Sequence, residues 1–463
     1  MPLHHCNPRT LMLSCIAIVV LSHVVPVVAE APGVAGVSSC TAAGCHGAAR
    51  AEEITGSEYN IWVADDPHAN AYNLLLEPVS QQMIRLLDGL PDQEPAHAHR
   101  DQRCLTCHSI SPNIAGQHNL VADGVSCEAC HGPAEPWLAV HYEPGFQSLS
   151  APEREARYGF LNTKSLARRA AICTECHVGS PGRDVNHDLI AAGHPRLQFE
   201  MGAYFAELPK HWIDANDRAP FGPEFDARLW AVGQAATSQA ALKLLAHRAS
   251  SEAPWPEFAE WRCAACHHDL RDQTDRQQRL AREGGLSGRQ IAWDDWNHHL
   301  ASHYLRDLAE VLAAPRQPSA DAERQFAELA GAMRSISAGR GEAGVQADVL
   351  SDQLGALANP CERCDWTPAA TNELSARIVG HHTRDGVPRW TTAAQAYDAL
   401  ASLHQSRINR NGGNARLTRA IGRLYRGLSQ RMSAPLTYRY EPAQAQAHLE
   451  AIGAELPAVE GPR

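Results

Sequence analysis

Lysine is almost missing from this chain. Of its 41 basic residues only Lys164, Lys210 and Lys243 are lysine, and 52 acidic residues outweigh them to give a formal net charge of −11. A nucleic-acid partner needs a basic footprint, so that class is excluded as an expectation. Long hydrophobic runs are equally scarce: beyond the first thirty residues no segment reaches the roughly 18 apolar residues that a membrane span needs. There is no Gly-x-x-x-x-Gly-Lys phosphate loop, no His-Glu-x-x-His zinc helix and no Gly-x-Ser-x-Gly elbow. What remains is a chain of 463 residues, 44% hydrophobic and 20% charged, a balance that fits folded domains and argues against disorder, collagen or a membrane bundle. Two residue types are in excess, with 14 Cys and 25 His. Together they point to metal or haem.

The first residues read as a secretory leader. A weakly basic start (His4, His5, Arg9) precedes an apolar run from Leu11 to Val28, and Val27-Val28-Ala29 supplies a small-residue exit. Ser22, His23 and Pro26 interrupt the run, which favours cleavage near Ala29 over a retained anchor. The expected location is the periplasm, where a free thiol oxidises unless something occupies it.

Cysteine spacing decides the class. Four times the chain writes Cys-x-x-Cys-His: Cys104 to Cys107-His108, Cys127 to Cys130-His131, Cys173 to Cys176-His177, and Cys263 to Cys266-His267. This is the attachment pattern of c-type haem, in which two thiols meet the two vinyl groups on one porphyrin edge and the next residue sets an imidazole under the iron. Zinc ribbons need Cys pairs but no His fixed after each, and short disulfide loops need none. A fifth site, Cys40-Thr-Ala-Ala-Gly-Cys45-His46, has a longer loop and the same Cys-His-Gly ending as Cys130-His131-Gly132. Its rival reading is a Cys40–Cys45 disulfide. Cys361-Glu-Arg-Cys364-Asp365 lacks the His and reads as a disulfide of an exported protein.

Five haems call for five second axial ligands if all are six-coordinate. Thioether is nearly absent, since only Met83 and Met201 lie in that part of the chain, so bis-His ligation and low potentials are expected. The candidates are His68, His118, His141, His187 and His194, with His97, His99, His211 and the His298, His299, His303 group competing for the same roles. His68 follows Asp66-Pro67, where proline starts a helix. His187 and His194 stand seven apart, two turns along one helix face, with Pro195 to end it. His299 and His303, four apart on one helix face, could bind a metal or haem iron, but a solvated or core-lining pair is the more common arrangement.

Several segments then resemble one family. Gly56-Ser57-Glu58-Tyr59 through Trp62 and Asp66-Pro67-His68-Ala69, followed by Gly124 to Pro133 and His141, is similar to the multihaem cytochrome c-554 family. Asn186-His187-Asp188 and Gly193-His194-Pro195-Arg196-Leu197 resemble its later haem region. The resemblance covers roughly residues 38 to 270 and is specific for multihaem c-type cytochromes rather than for one pathway. It implies a mainly helical periplasmic electron carrier with closely stacked haem pairs, in a family whose prototype takes electrons from hydroxylamine oxidoreductase. That prototype holds four haems, one of them without a distal His, whereas five motifs occur here.

The expected fold is mainly α: a leader at 1–29, a multihaem c-type cytochrome domain at 30–315 whose haems replace much of the side-chain core, and a helical domain of unassigned role at 316–463. Helical spacing marks Asp294 to Ala314, Ala320 to Ser335, Thr391 to Arg407 and Asn414 to Met432. Arg271 to Gly288 reads as a linker or exposed helix, and Arg316 to Ser319 as a joint. The expected function is electron transfer between redox protein partners through about five covalently bound haem c groups, with association with other cytochromes or a membrane complex. The alternative is a reductase or oxidase of a small nitrogen or sulfur compound with one open haem. Against it stands the lack of any Cys-x-x-Cys-Lys motif.

Overall fold

Proline, glycine and short polar caps cut the first half of the chain into brief helices. The computed structural model describes residues 33–48, 54–110, 118–250, 254–267, 291–312, 320–335, 339–384, 388–429 and 440–457. The leader with its exit at Ala29, the polar stretch at 271–288 and the joint at 316–319 lie outside the described residues. Helix Pro78–Asp88 starts on proline and stops at Gly89, whose φ of 62° is the left-handed cap that residue types other than glycine resist. Helix Gln102–His108 starts where the Asp101 carboxylate accepts the Arg103 N–H at 2.8 Å. Leu166–His177 starts in the same way at Ser165, whose hydroxyl accepts the Arg168 N–H at 3.3 Å.

The second half is built from longer helices: Phe225–Ser250, Ala320–Ala332, Arg340–Gly355, Pro368–Arg384, Trp390–Asn411, Ala415–Ser429 and Pro442–Glu455. Among the described residues there is no strand, only two isolated bridges, Ser180 with Arg183 and Trp261 with Trp293. The fold is mainly α, as expected. Phe225–Ser250 is its axis. Trp230, Leu242 and Leu245 on that helix are fully buried, and it packs against Arg340–Gly355, Leu166–His177, Ala358–Arg363, Trp390–Asn411 and Met201–Glu207. Burying one such side chain contributes about 1.5–3 kcal/mol.

The apolar core is unevenly distributed. One cluster runs from Leu166 to Ile452 and is continuous across the 315/316 position. Among the described residues before Leu166 there are two small clusters, one around Leu75, Ile84 and Leu105 and one of Ala134, Trp137 and Phe146.

Two expected elements changed shape. Asp294 to Ala314 forms no single α-helix: a π-turn at Leu300–Tyr304 leads into Leu305–Val311. The helix at His187–Ala191 ends before Gly193, whose φ is 119°, so His187 and His194 leave in different directions instead of sharing a face.

Candidate haem-binding sites

Each regular motif sits at the end of a helix or fills one. Gln102–His108 and Leu166–His177 both terminate on the motif histidine, Cys127–His131 is the motif itself, and His267 follows Cys263–Cys266. Cysteines three apart on a helix project from one side, and the following His lies beside them. The chain then turns away. At Gly132, φ is 87° and an added Cβ would lie 2.1 Å from the Gly159 carbonyl oxygen, so the glycine after His131 is sterically required. The longer loop closes differently, with Cys40 ending a 3-10 turn and the Cys45 and Gly47 N–H groups both donating to the Ala42 carbonyl at 2.8 and 3.1 Å.

Every motif histidine faces a second histidine. Ring centroids are 6.2 Å apart for His46 and His141, 6.4 Å for His108 and His194, and 6.3 Å for His131 and His211. They are 5.9 Å apart for His177 and His68, and 6.3 Å for His267 and His187. Two imidazoles on opposite sides of one metal are separated by about 6 Å, from two metal–nitrogen bonds of about 2 Å and two half-rings of about 1.1 Å. The donor set therefore fits a six-coordinate iron at all five places. The ring planes divide the pairs: 20° and 22° for His46–His141 and His187–His267, against 77°, 87° and 74° for His68–His177, His108–His194 and His131–His211.

Several rings are held from behind, which fixes the outward nitrogen. Nδ1 of His108 lies 2.9 Å from the Ala71 carbonyl, that of His141 2.7 Å from Leu138, and that of His194 2.8 Å from Pro195. Two rings are backed by carboxylates: His46 Nδ1 by Glu58 at 3.0 Å and His68 Nδ1 by Asp66 at 2.8 Å. The bond to Asp66 raises the His68 pKa. Burial lowers His131 and His177 to about 4, which keeps them neutral, the form that ligates a metal.

The thiols are also neighbours across motifs. Cys40 is in hydrogen-bonding contact with Cys127, and Cys107 with Cys176. All described cysteines are free. The disulfide expected at Cys361 and Cys364 is not formed: Cys361 is buried on helix Ala358–Arg363, and the Cys364 thiol, beyond its end, points to the Cys361 carbonyl at 3.8 Å. Trp366 Nε1 donates to that same carbonyl at 2.9 Å and sets the turn.

Of the five second histidines expected from sequence, His68, His141, His187 and His194 each face a motif histidine. His118 begins a 3-10 turn, but its side chain lies outside the described residues. His211, a competitor in the sequence, is the ring facing His131. His97 and His99 instead contact each other at 5.5 Å, and His298 packs against Trp293 with ring centroids 4.5 Å apart. One supporting residue carried no sequence signal. Glu128, inside the third motif, is buried and accepts the N–H groups of Ala35, Gly36 and Ala134 at 2.9, 2.8 and 2.6 Å, tying the segment before Cys40 to the Cys127 motif.

Comparison with known proteins gives one match. No curated protein and no solved structure matches the chain. Residues 39–132, which contain the Cys40, Cys104 and Cys127 motifs and end on Gly132, match the family model described as cytochrome c554 and c-prime. Through that segment the chain resembles the cytochrome c554 family of c-type cytochromes, whose chemistry is electron transfer through covalently bound haem c.

Proposed function

We propose that this protein is a periplasmic pentahaem electron carrier in which each iron is held between a motif histidine and a second histidine. The assignments are His46 with His141, His108 with His194, His131 with His211, His177 with His68, and His267 with His187. The observation that carries the reading is the five-fold recurrence of ring pairs at 5.9 to 6.4 Å, each containing one motif histidine. The thioether bonds come from Cys40 and Cys45, Cys104 and Cys107, Cys127 and Cys130, Cys173 and Cys176, and Cys263 and Cys266. Haem c supplies reversible one-electron chemistry, and the protein's part is to hold the irons close and set their potentials.

The order of the sites follows from which motifs touch. Cys40 meets Cys127, Cys107 meets Cys176, and Cys130 is close enough to Cys173 to perturb it. Residues 187 to 194 bridge the Cys263 site and the Cys104 site. The resulting order is a single line, from the Cys263 site through the Cys104, Cys173 and Cys127 sites to the Cys40 site. Electrons would enter at one end and leave at the other, which fits a carrier between two redox protein partners, among them other cytochromes or a membrane complex. The leader-like start supports export.

The test is a pyridine haemochrome count on matured protein with reduced spectra taken with and without carbon monoxide. About five haems per chain and no carbon monoxide shift are expected. Substituting His211→Ala should open one iron to carbon monoxide and leave the count unchanged. A Soret shift in the unsubstituted protein would instead favour the reductase or oxidase of a small nitrogen or sulfur compound. A count of four would return Cys40 and Cys45 to a role without haem.

A further inference from the structure

We propose that the helical half holds a non-haem divalent transition-metal site formed by Asp295, His299 and His303. One ligand atom from each of the three lies within 4.8 Å of the others. His299 precedes the π-turn Leu300–Tyr304 and His303 lies within it, and their ring centroids are 4.5 Å apart. Single π-turns inside α-helices are frequently found at functional sites. Donors three or four residues apart then converge toward the common point that a metal–ligand bond of about 2.1 Å needs.

The carboxylate carries the second observation. Asp295 Oδ2 is held by Arg262 at 3.1 Å and by Arg389 at 2.6 Å. Its Oδ1 is buried and accepts no hydrogen bond. A buried carboxylate oxygen without a partner costs on the order of 1–3 kcal/mol or more, and a cation at that oxygen removes the cost. The two arginines fix the carboxylate in place through one oxygen and leave the other without a partner.

The surroundings also match a metal centre. His299 is 1% exposed. Tyr304 Oη lies 3.2 Å from His299 Nε2 and 2.6 Å from His382 Nε2, so one nitrogen of His299 is oriented by a second partner, as metal-bound imidazoles usually are. His382 stacks on His299 with centroids 5.8 Å apart and planes 4° apart, which holds the His299 ring in place. Two imidazoles and one carboxylate select iron(II) or zinc(II) over calcium or magnesium, which prefer all-oxygen shells. Either occupant uses the same donors.

The experiment uses the matured haem-containing protein. Total iron and zinc are measured by mass spectrometry against the haemochrome count, then zinc(II), iron(II) and calcium(II) are titrated separately into chelator-treated protein. Iron in excess of haem, or zinc, at about one equivalent per chain is expected, with saturable rebinding of that ion. His299→Gln and His303→Gln should each remove it while the haem count stays unchanged, and His404→Gln should not. Iron equal to haem with neither zinc nor iron rebinding would overturn the proposal, as would rebinding that survives both substitutions or that occurs for calcium alone. Because the haem count is read in the same sample, failure of this site is distinct from failure of the pentahaem reading.

Discussion

Asp66→Asn gives the sharpest test of how the chain sets a potential. The Asp66 carboxylate is 7% exposed and lies 2.8 Å from His68 Nδ1, on the far side of the ring from His177. An iron between His68 and His177 would be roughly 6.5 Å from that carboxylate oxygen, adding one metal–nitrogen bond, one imidazole and one hydrogen bond along a bent path. A unit negative charge at about 6.5 Å stabilises the extra positive charge of ferric over ferrous iron by about 2.5 kcal/mol at an effective dielectric of about 20. At about 59 mV per 1.4 kcal/mol for one electron, that is about 110 mV. The half-exposed His68 ring admits water, and a dielectric of about 40 halves the figure. The substitution should therefore raise the potential of the haem proposed between His68 and His177 by roughly 50 to 110 mV. Asn retains an oxygen for the His68 backbone N–H, which Asp66 Oδ1 accepts at 3.0 Å, so the turn survives. Spectroelectrochemical titration of both proteins at one pH and salt concentration, with haem counts matched, measures the shift. A change below about 20 mV, or a downward one, would refute the role given to the carboxylate.

Other consequences can be checked with equal directness. Removing the Glu128 carboxylate by Glu128→Ala strands three backbone N–H groups and should cost roughly 4 kcal/mol, with Glu128→Gln milder; thermal melting followed at the Soret band reads the difference, and an unchanged midpoint would contradict it. His404 is 3% exposed, and burial pushes its pKa down to about 4. A depressed folded-state pKa means that stability is intact above the unfolded value near 6.5 and falls as pH drops toward 4. Between pH 7 and 5 the loss from this group is about 2 kcal/mol, and His404→Gln should remove that share of the acid sensitivity in denaturant unfolding. The two near-parallel and three near-perpendicular ring pairs should give two classes of ferric electron paramagnetic resonance signal in a 2:3 ratio, with the larger maximum g value from the perpendicular set; one uniform class would contradict the ring geometry.

Local chemistry made much of the fold legible, and long-range packing accounts for what was missed. Amphipathic spacing located the helices at Ala320–Ala332, Trp390–Asn411 and Ala415–Ser429. The longest helix among the described residues, Phe225–Ser250, escaped because it is buried on nearly every side: the consecutive residues Leu229, Trp230, Ala231, Val232 and Gly233, which circle the axis, are all buried. A helix enclosed by neighbours has no polar face and so no periodic signal. The disulfide reading of Cys361 and Cys364 failed for a related reason. Spacing gave the pair, but the end of a helix and the Trp366 contact determine where each thiol points.

The haem sites divide along the same line. A proximal ligand is covalently local, since the histidine must follow its cysteine, and the motif alone proposes His46, His108, His131, His177 and His267 for that role. A second axial ligand can come from any distance along the chain, and nothing in its immediate neighbours marks it. His68 was readable because Asp66-Pro67 forces a turn with the imidazole in it. His211 was not, because its neighbours Lys210 and Trp212 describe an ordinary surface-to-core transition. What selects it is position: the helix Met201–Glu207 is pinned against Phe225–Ser250, and the short segment that follows carries His211 to a ring distance of 6.3 Å from His131. The packed helical half therefore acts on the haem half through that segment. On this argument, loosening the core under Met201–Glu207, for example with Phe205→Ala at a site 4% exposed, should make the Cys127 site reactive to carbon monoxide before any other. If carbon monoxide instead binds first at the Cys40 site, whose proposed second ligand His141 lies near the Trp137 and Phe146 cluster, the link from the core to His211 is wrong.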